Sequence, residues 1–270
     1  MSIFYTNGKR MLEYGSMNAY SDIYCFSTTR HGGYSSGEYD SFNCNEFCGD
    51  EAESVRKNRE MLCGLLPGKD AKLIIPHQIH RTEVRIIDED FMQLTEEDKA
   101  TSLDGVDALV TMLRNVCICV STADCVPVLC CDKRLGIVSA IHAGWRGTAM
   151  RIVECTLKAM SERFGTRGED VMACIGPSIS KDAFEVGDEV YACFERAGFN
   201  MGKIASRMNK WHIDLWEANR IQLLDFGVRA QQIEVSGICT WQDNDDFFSA
   251  RRQGIASGRI LSGIMLKNSE

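Results

Sequence analysis

Short apolar runs, broken by polar or glycine-bearing segments, recur along the chain, and most have the length of a β-strand. Strands are predicted near Tyr24 to Thr28, Lys72 to Ile75, Val84 to Ile87, Ala108 to Met112, Val116 to Ser121, Val171 to Ile175, Ile233 to Ser236 and Ile260 to Met265. Between the runs Val126 to Cys131 and Ile137 to Ile141, the break Asp132-Lys133-Arg134-Leu135-Gly136 predicts a β-hairpin. Longer amphipathic stretches predict helices. Glu51 to Leu66 has Asp50 as its cap and Glu53 three residues later, and it ends at Pro67-Gly68. Thr148 to Phe164 carries Ile152, Val153, Leu157 and Met160 on one face and stops at Gly165. A third helix runs from Asp182 to Arg196 before Gly198, and a fourth begins after Asp214, with Glu217 completing a capping box, and stops at Gly227. Helices interleave with strands and a hairpin must be antiparallel, so the pattern predicts an α/β (α+β) protein of layered elements with mixed sheets.

No repeat, low-complexity tract or linker divides the sequence, so residues 1–270 are expected to form one domain. With 44% hydrophobic and 25% charged residues the chain can bury a sizeable core. Its net charge of −8 counts against a nucleic-acid or anionic-membrane surface and leaves room for a local anion pocket. The first residues hold Lys9, Arg10 and Glu13 without a sustained apolar stretch; no targeting peptide is read there, and a cytoplasmic location is expected. Thirteen cysteines is an odd number, and Cys117, Cys119, Cys130, Cys131 and Cys174 lie in apolar runs, so most are expected to be reduced core residues. Cys44 and Cys48 form a pair that lacks the matching partner pair of a structural zinc site.

The candidate chemistry gathers at strand ends. With the hairpin turn centred between Lys133 and Arg134, Cys125 and His142 fall opposite each other, where cross-strand Cβ atoms lie roughly 4.5–5.5 Å apart. His80 follows the run Leu73-Ile74-Ile75-Pro76 and is expected at another strand end. Two imidazoles and a thiolate suit zinc, and three protein ligands leave a fourth position for water or substrate. The plainer reading makes Cys125 a small hydrophobe and His142 a hydrogen-bonded core histidine, and a third makes Cys125 a nucleophile with His142 as its base. Asp124, beside Cys125, is a candidate for proton transfer or for capping a turn. Gly144-Trp145-Arg146-Gly147 leads into a helix start, where backbone N–H groups and Arg146 can receive a phosphate. Loops bearing Arg30, Gly176, Arg251 and Arg252 are further candidates for a polar pocket. No P-loop, nucleophile elbow or deaminase-type zinc motif is present.

The segments Phe26-Ser27-Thr28-Thr29-Arg30-His31-Gly32-Gly33, Gln78-Ile79-His80, Thr122-Ala123-Asp124-Cys125-Val126-Pro127-Val128, Ile141-His142-Ala143-Gly144-Trp145-Arg146-Gly147, Cys174-Ile175-Gly176-Pro177 and Phe247-Phe248-Ser249 with Gly258-Arg259 resemble, in this order, the signatures of the YfiH family, also called the laccase-domain or polyphenol oxidase family. Ser178 departs from the cysteine, and Arg81 from the glycine, that many relatives carry. The resemblance implies a single layered αββα domain with zinc on His80, Cys125 and His142, and it favours His80 over His77 as the ligand. Gln78 and Arg146 become the expected substrate-binding residues. The implied activity is phosphorolysis of adenosine, inosine, guanosine and S-methyl-5′-thioadenosine, with adenosine deamination at the same metal. The implied partners are purine nucleosides and inorganic phosphate; a monomer is expected, and the charge already counts against nucleic acid or membrane. An older reading is copper-dependent phenol oxidation, which fits less well because five histidines are few for the several coppers of a laccase. A non-catalytic structural zinc is the remaining alternative, although the sequence offers no obvious fourth ligand.

Overall fold

Side chains alternate along a strand, and here both faces of the long strands are buried. In β7 (Val116–Thr122), Ile118 and Val120 enter one core while Cys117 and Cys119 enter another. In β8 (Val126–Asp132), Leu129 and Cys131 share the core of Ile118, and Val126, Val128 and Cys130 face a third. Only sheets covered on both sides allow this. The computed structural model, which describes residues 3–68 and 70–268, accordingly stacks helix, sheet, sheet and helix.

The first sheet has the order β1 (Ile3–Thr6), β2 (Met11–Tyr14), β3 (Ile23–Thr28), β15 (Ile260–Leu266), β7 and β4 (Lys72–Ile74). The second has the order β14 (Ile233–Val235), β10 (Val171–Ile175), β8, β9 (Ile137–Ala143), β6 (Ala108–Thr111) and β5 (Val84–Ile87). A small third sheet joins β11 (Glu185–Val186), β13 (Trp211–Ile213) and β12 (Ala205–Arg207). Pairs β4–β7, β5–β6 and β10–β14 are parallel and β8–β9, β6–β9 and β15–β7 antiparallel, so the sheets are mixed as the sequence predicts. Helix Ala52–Leu65 covers the outer face of the first sheet through Leu62; helices Ile152–Phe164, Asp188–Arg196 and Leu215–Asp225 cover the second. Eight cysteines, Cys25, Cys44, Cys117, Cys119, Cys130, Cys131, Cys174 and Cys239, are buried.

Several boundaries differ from expectation, each for a local reason. The hairpin exists, but its register pairs Val126 with Ala143 and Asp132 with Ile137, moving the turn centre to between Arg134 and Leu135. Asp132 Oδ1 accepts from the N–H groups of Arg134 and Leu135, and Gly136 has φ +64°, which together fix a four-residue turn. The predicted helix Thr148 to Phe164 is two, Trp145–Ala149 and Ile152–Phe164, because Arg151 between them is left-handed. The predicted helix at Asp182 starts instead at Asp188, since Glu185–Val186 pairs with β13. Asp50 does not cap its helix; its Oδ2 accepts from Ser35 and Asn43. Asp214 does cap Leu215–Asp225, accepting from Glu217 N–H. The β1–β2 hairpin goes unpredicted although Asn7-Gly8 is a turn signal.

Candidate metal centre

The antiparallel register of β6 and β9 pairs Ala108 with Ile141, and one step further it sets Asp107 across from His142. His142 N–H donates to the Asp107 carbonyl at 2.8 Å, and its Nδ1 lies 2.7 Å from Asp107 Oδ1. A carboxylate only accepts, so Nδ1 carries the hydrogen and Nε2 is left to bind a metal. Asp107 also organises the second histidine. Its carboxylate accepts from His80 N–H at 3.0 Å and Arg81 N–H at 2.7 Å, and His80 adopts φ +64°, a conformation uncommon for a side-chain-bearing residue. A fully buried aspartate thus places two ligands from different segments.

Cys125 comes from the start of β8. Extending the hairpin register sets it opposite Gly144, diagonal to His142, and the absent side chain of Gly144 is what lets the three ligands close up. A Cβ at 144 would lie 2.9 Å from His80 Cδ2 and 3.1 Å from Cys125 Sγ. The His80 and His142 rings stand edge to face, 4.8 Å apart between centroids, and the ligand atoms of His80, Cys125 and His142 all lie within 4.8 Å of one another. Burial works against a thiolate at Cys125, yet the charge and hydrogen bonding of His142 and His80 outweigh it and bring the thiol down to about 6. Burial likewise opposes a charge on His142, but Cys125 and Asp107 raise it to about 9. A divalent cation would satisfy the same attraction while both imidazoles stay neutral. Two imidazole nitrogens, one of them on a ring held by a carboxylate, and one thiolate therefore fit a zinc-type centre. Gly144→Ala is expected to weaken metal binding at least about tenfold, since positioning errors of this kind act directly on the ligands. Competition with a chromogenic chelator checks this, and wild-type affinity in the variant would refute the steric role of Gly144.

The centre forms the base of a cavity of about 340 Å³, within the range of small-molecule sites. His142 is buried, Cys125 half-buried and His80 exposed, so the metal position opens on the His80 side. Gln78 lines the cavity, but its amide is occupied: Nε2 donates to the Ser121 carbonyl at 2.8 Å and Oε1 accepts from Ser121 N–H at 2.7 Å, tying the His80 loop to β7. Two expected residues are not brought to the cavity. Asp124 faces other loops, accepting from Thr240 Oγ1 at 2.7 Å and Arg251 N–H at 2.6 Å, so it ties the Cys125 segment to two distant segments instead of capping its own turn. Arg146 is exposed with its guanidinium over the Trp145 ring, 4.3 Å from the centroid, because helix Trp145–Ala149 turns it outward. Arg30, Arg251 and Arg252 donate to the carbonyls of Asp40, Glu185 and Trp241.

Other residues fill the places left open. Arg259 lines the cavity, and its guanidinium donates to the carbonyls of Ile255 and Gly258 in its own loop; among the described residues no carboxylate pairs with it. Phe47 and His77 form a wall, their rings 4.5 Å apart. Asp107 carries a usable sequence signal, a charge set between Val106 and the apolar run Ala108-Leu109-Val110. Phe47 carries none, because only the fold brings it to the ligands; Arg259 stands in the Gly258-Arg259 segment of the family resemblance, but nothing in the sequence points its side chain to the cavity.

Residues 24–267 match the family model described as multi-copper polyphenol oxidoreductase laccase, and the chain belongs to this family, in which the YfiH and YlmD proteins fall. It is 53% identical over 264 residues to a purine nucleoside phosphorylase of Bacteroides thetaiotaomicron, covering 97% of this chain and 98% of that one. It is 42% identical over 248 residues to adenosine deaminase RL5 from an unknown prokaryotic organism, covering 91% and 94%. The crystal structure of YlmD from Geobacillus stearothermophilus superposes with a TM-score of 0.90 at 30% identity, covering 99% of this chain and all of that one. Among the described residues, no helix is long and apolar enough to cross a membrane.

Proposed function

We propose that this chain is a purine nucleoside phosphorylase that cleaves adenosine, inosine, guanosine and S-methyl-5′-thioadenosine with inorganic phosphate, and that adenosine is deaminated in the same cavity. The observation that carries the reading is the three-residue centre opening into a cavity that also holds Arg259, a cation with no carboxylate partner among the described residues. The likeness to proteins named as a phosphorylase and a deaminase supports both activities. Zinc is the metal we favour for His80, Cys125 and His142, and when bound it supplies a centre of positive charge with an open coordination position.

The chain's own residues do the remaining work. Asp107 fixes the imidazole tautomer of His142 and the backbone at His80, so the ligands meet substrate without reorganising. Arg259 takes the role first expected of Arg146 and holds phosphate by charge and paired N–H donors. Gln78 keeps the His80 loop closed on β7 and shapes the cavity floor. Phosphorolysis then consists of setting phosphate against the anomeric carbon beside a departing base. Copper-dependent phenol oxidation is disfavoured because His80, Cys125 and His142 are the only His/Cys/Asp/Glu cluster of metal-binding geometry among the described residues, and laccase chemistry uses several coppers. We read the whole chain as one monomeric cytoplasmic unit, which thirteen unpaired thiols suit.

Chromatography of inosine and adenosine incubated with metal-quantified protein, with and without phosphate, tests the reading. Free base that forms only with phosphate supports phosphorolysis, and inosine formed from adenosine in phosphate-free buffer supports deamination. Unchanged nucleosides with one equivalent of metal bound would refute both. Arg259→Ala is expected to raise the KM for phosphate roughly tenfold to a hundredfold, as loss of a charge-assisted contact does. Its deaminase rate should change far less; an unchanged phosphate KM would remove Arg259 from the phosphate site.

A further inference from the structure

Cleavage of a purine–ribose bond leaves negative charge on the base, and a proton delivered to the ring as the bond breaks lowers the barrier. The donor must face the cavity, have a side chain able to give up and regain a proton, and be free of the metal. His80, Cys125 and His142 are the ligands. Arg259 does not give up its proton, and burial pushes the Cys48 thiol up, away from proton exchange at neutral pH. His77 remains.

Its placement is over-determined. His77 N–H donates to the Leu103 carbonyl at 3.1 Å, and the His77 carbonyl accepts from Gly105 N–H at 2.9 Å. Its Nδ1 lies 2.6 Å from Asp104 Oδ1, and its ring leans on Phe47 at 4.5 Å with 32° between planes. Because Asp104 only accepts, Nδ1 carries a hydrogen, and Nε2 is the nitrogen available for proton transfer. The pair repeats, at the wall of the cavity, the carboxylate–imidazole arrangement that Asp107 and His142 make at its base.

We propose that His77, held by Asp104, is the catalytic acid that protonates the departing purine, with Phe47 and His77 forming the wall against which the base lies; this rests on the phosphorylase reading above. A phosphate oxygen bonds to the anomeric carbon, the bond to N9 breaks with its electron pair passing into the purine, and N7 takes the proton from Nε2. His77 recovers a proton from solvent, balancing the one the sugar phosphate releases.

Inosine needs this proton, whereas 7-methylguanosine already carries positive charge on its imidazole ring and departs without it. His77→Gln is expected to lower kcat for inosine roughly a hundredfold or more, while the loss for 7-methylguanosine stays at least about tenfold smaller. Asp104→Asn, which keeps the imidazole in place, should show the same bias toward inosine with a smaller loss. Equal losses on the two substrates, or no loss on inosine, would overturn the acid role. Wild-type protein that cleaves neither nucleoside with phosphate would remove the phosphorylase reading, and the acid with it.

Discussion

Replacing Cys125 with alanine is expected to reduce bound metal from about one equivalent per chain to a small fraction, since a site of three ligands loses its only thiolate. Phosphate-dependent base release should fall at least about a thousandfold, roughly 4 kcal/mol of transition-state stabilisation. The change removes one sulfur from a half-buried position at a strand end, so the far-ultraviolet circular dichroism should match wild type. Metal analysis and single-turnover rates on the same preparation check the expectation together. A variant that loses its metal but keeps its rate would show the centre to be structural. One that keeps both would mean that His80 and His142 suffice.

The second large effect is expected at a residue that touches neither substrate nor metal. Asp107→Asn leaves one carbonyl oxygen where two carboxylate oxygens accept from His142 Nδ1, His80 N–H and Arg81 N–H. One face of the new amide is itself a donor, so a buried N–H loses its acceptor, at a cost of about 1–3 kcal/mol in stability. Metal affinity should fall roughly 10–100-fold, the usual effect of losing a carboxylate that orients a ligand histidine. Urea unfolding of the metal-free protein isolates the first effect, and zinc competition isolates the second. A shift in the urea midpoint with unchanged metal affinity would confine Asp107 to folding.

The ligands were legible for a reason that survives an error. Apolar runs and a polar break predict the hairpin, and the Asp132 turn moves its centre by one residue from that expectation. Cys125 therefore faces Gly144 rather than His142. The two remain diagonal neighbours, and diagonal pairs across a sheet are still within reach when the intervening position carries no side chain. The mixture of layered helices and mixed sheets is legible because buried strands and amphipathic helices have different periods, whereas the αββα order comes from the family resemblance and not from any periodicity. Arg146 and Asp124 were misplaced because proximity in sequence to a ligand says nothing about side-chain direction. Asp124 has φ +84° and turns its carboxylate toward Thr240. Arg259 is visible in the sequence as part of the Gly258-Arg259 signature but not as a cavity residue, and Phe47 is not visible at all, since both arrive from segments far from the ligands and are brought in only by the completed fold.

The chain runs from the first sheet to the second between β4 and β5, and again between β7 and β8. His80 lies on one passage and Cys125 opens the strand after the other, while His142 belongs to the second sheet. A bound ion at these three residues would therefore clasp both passages to one sheet, like a rivet through the joint of two plates. Metal occupancy and the mutual seating of the sheets are then one equilibrium viewed from two sides. Starving the protein of metal should loosen the seam before it touches either sheet.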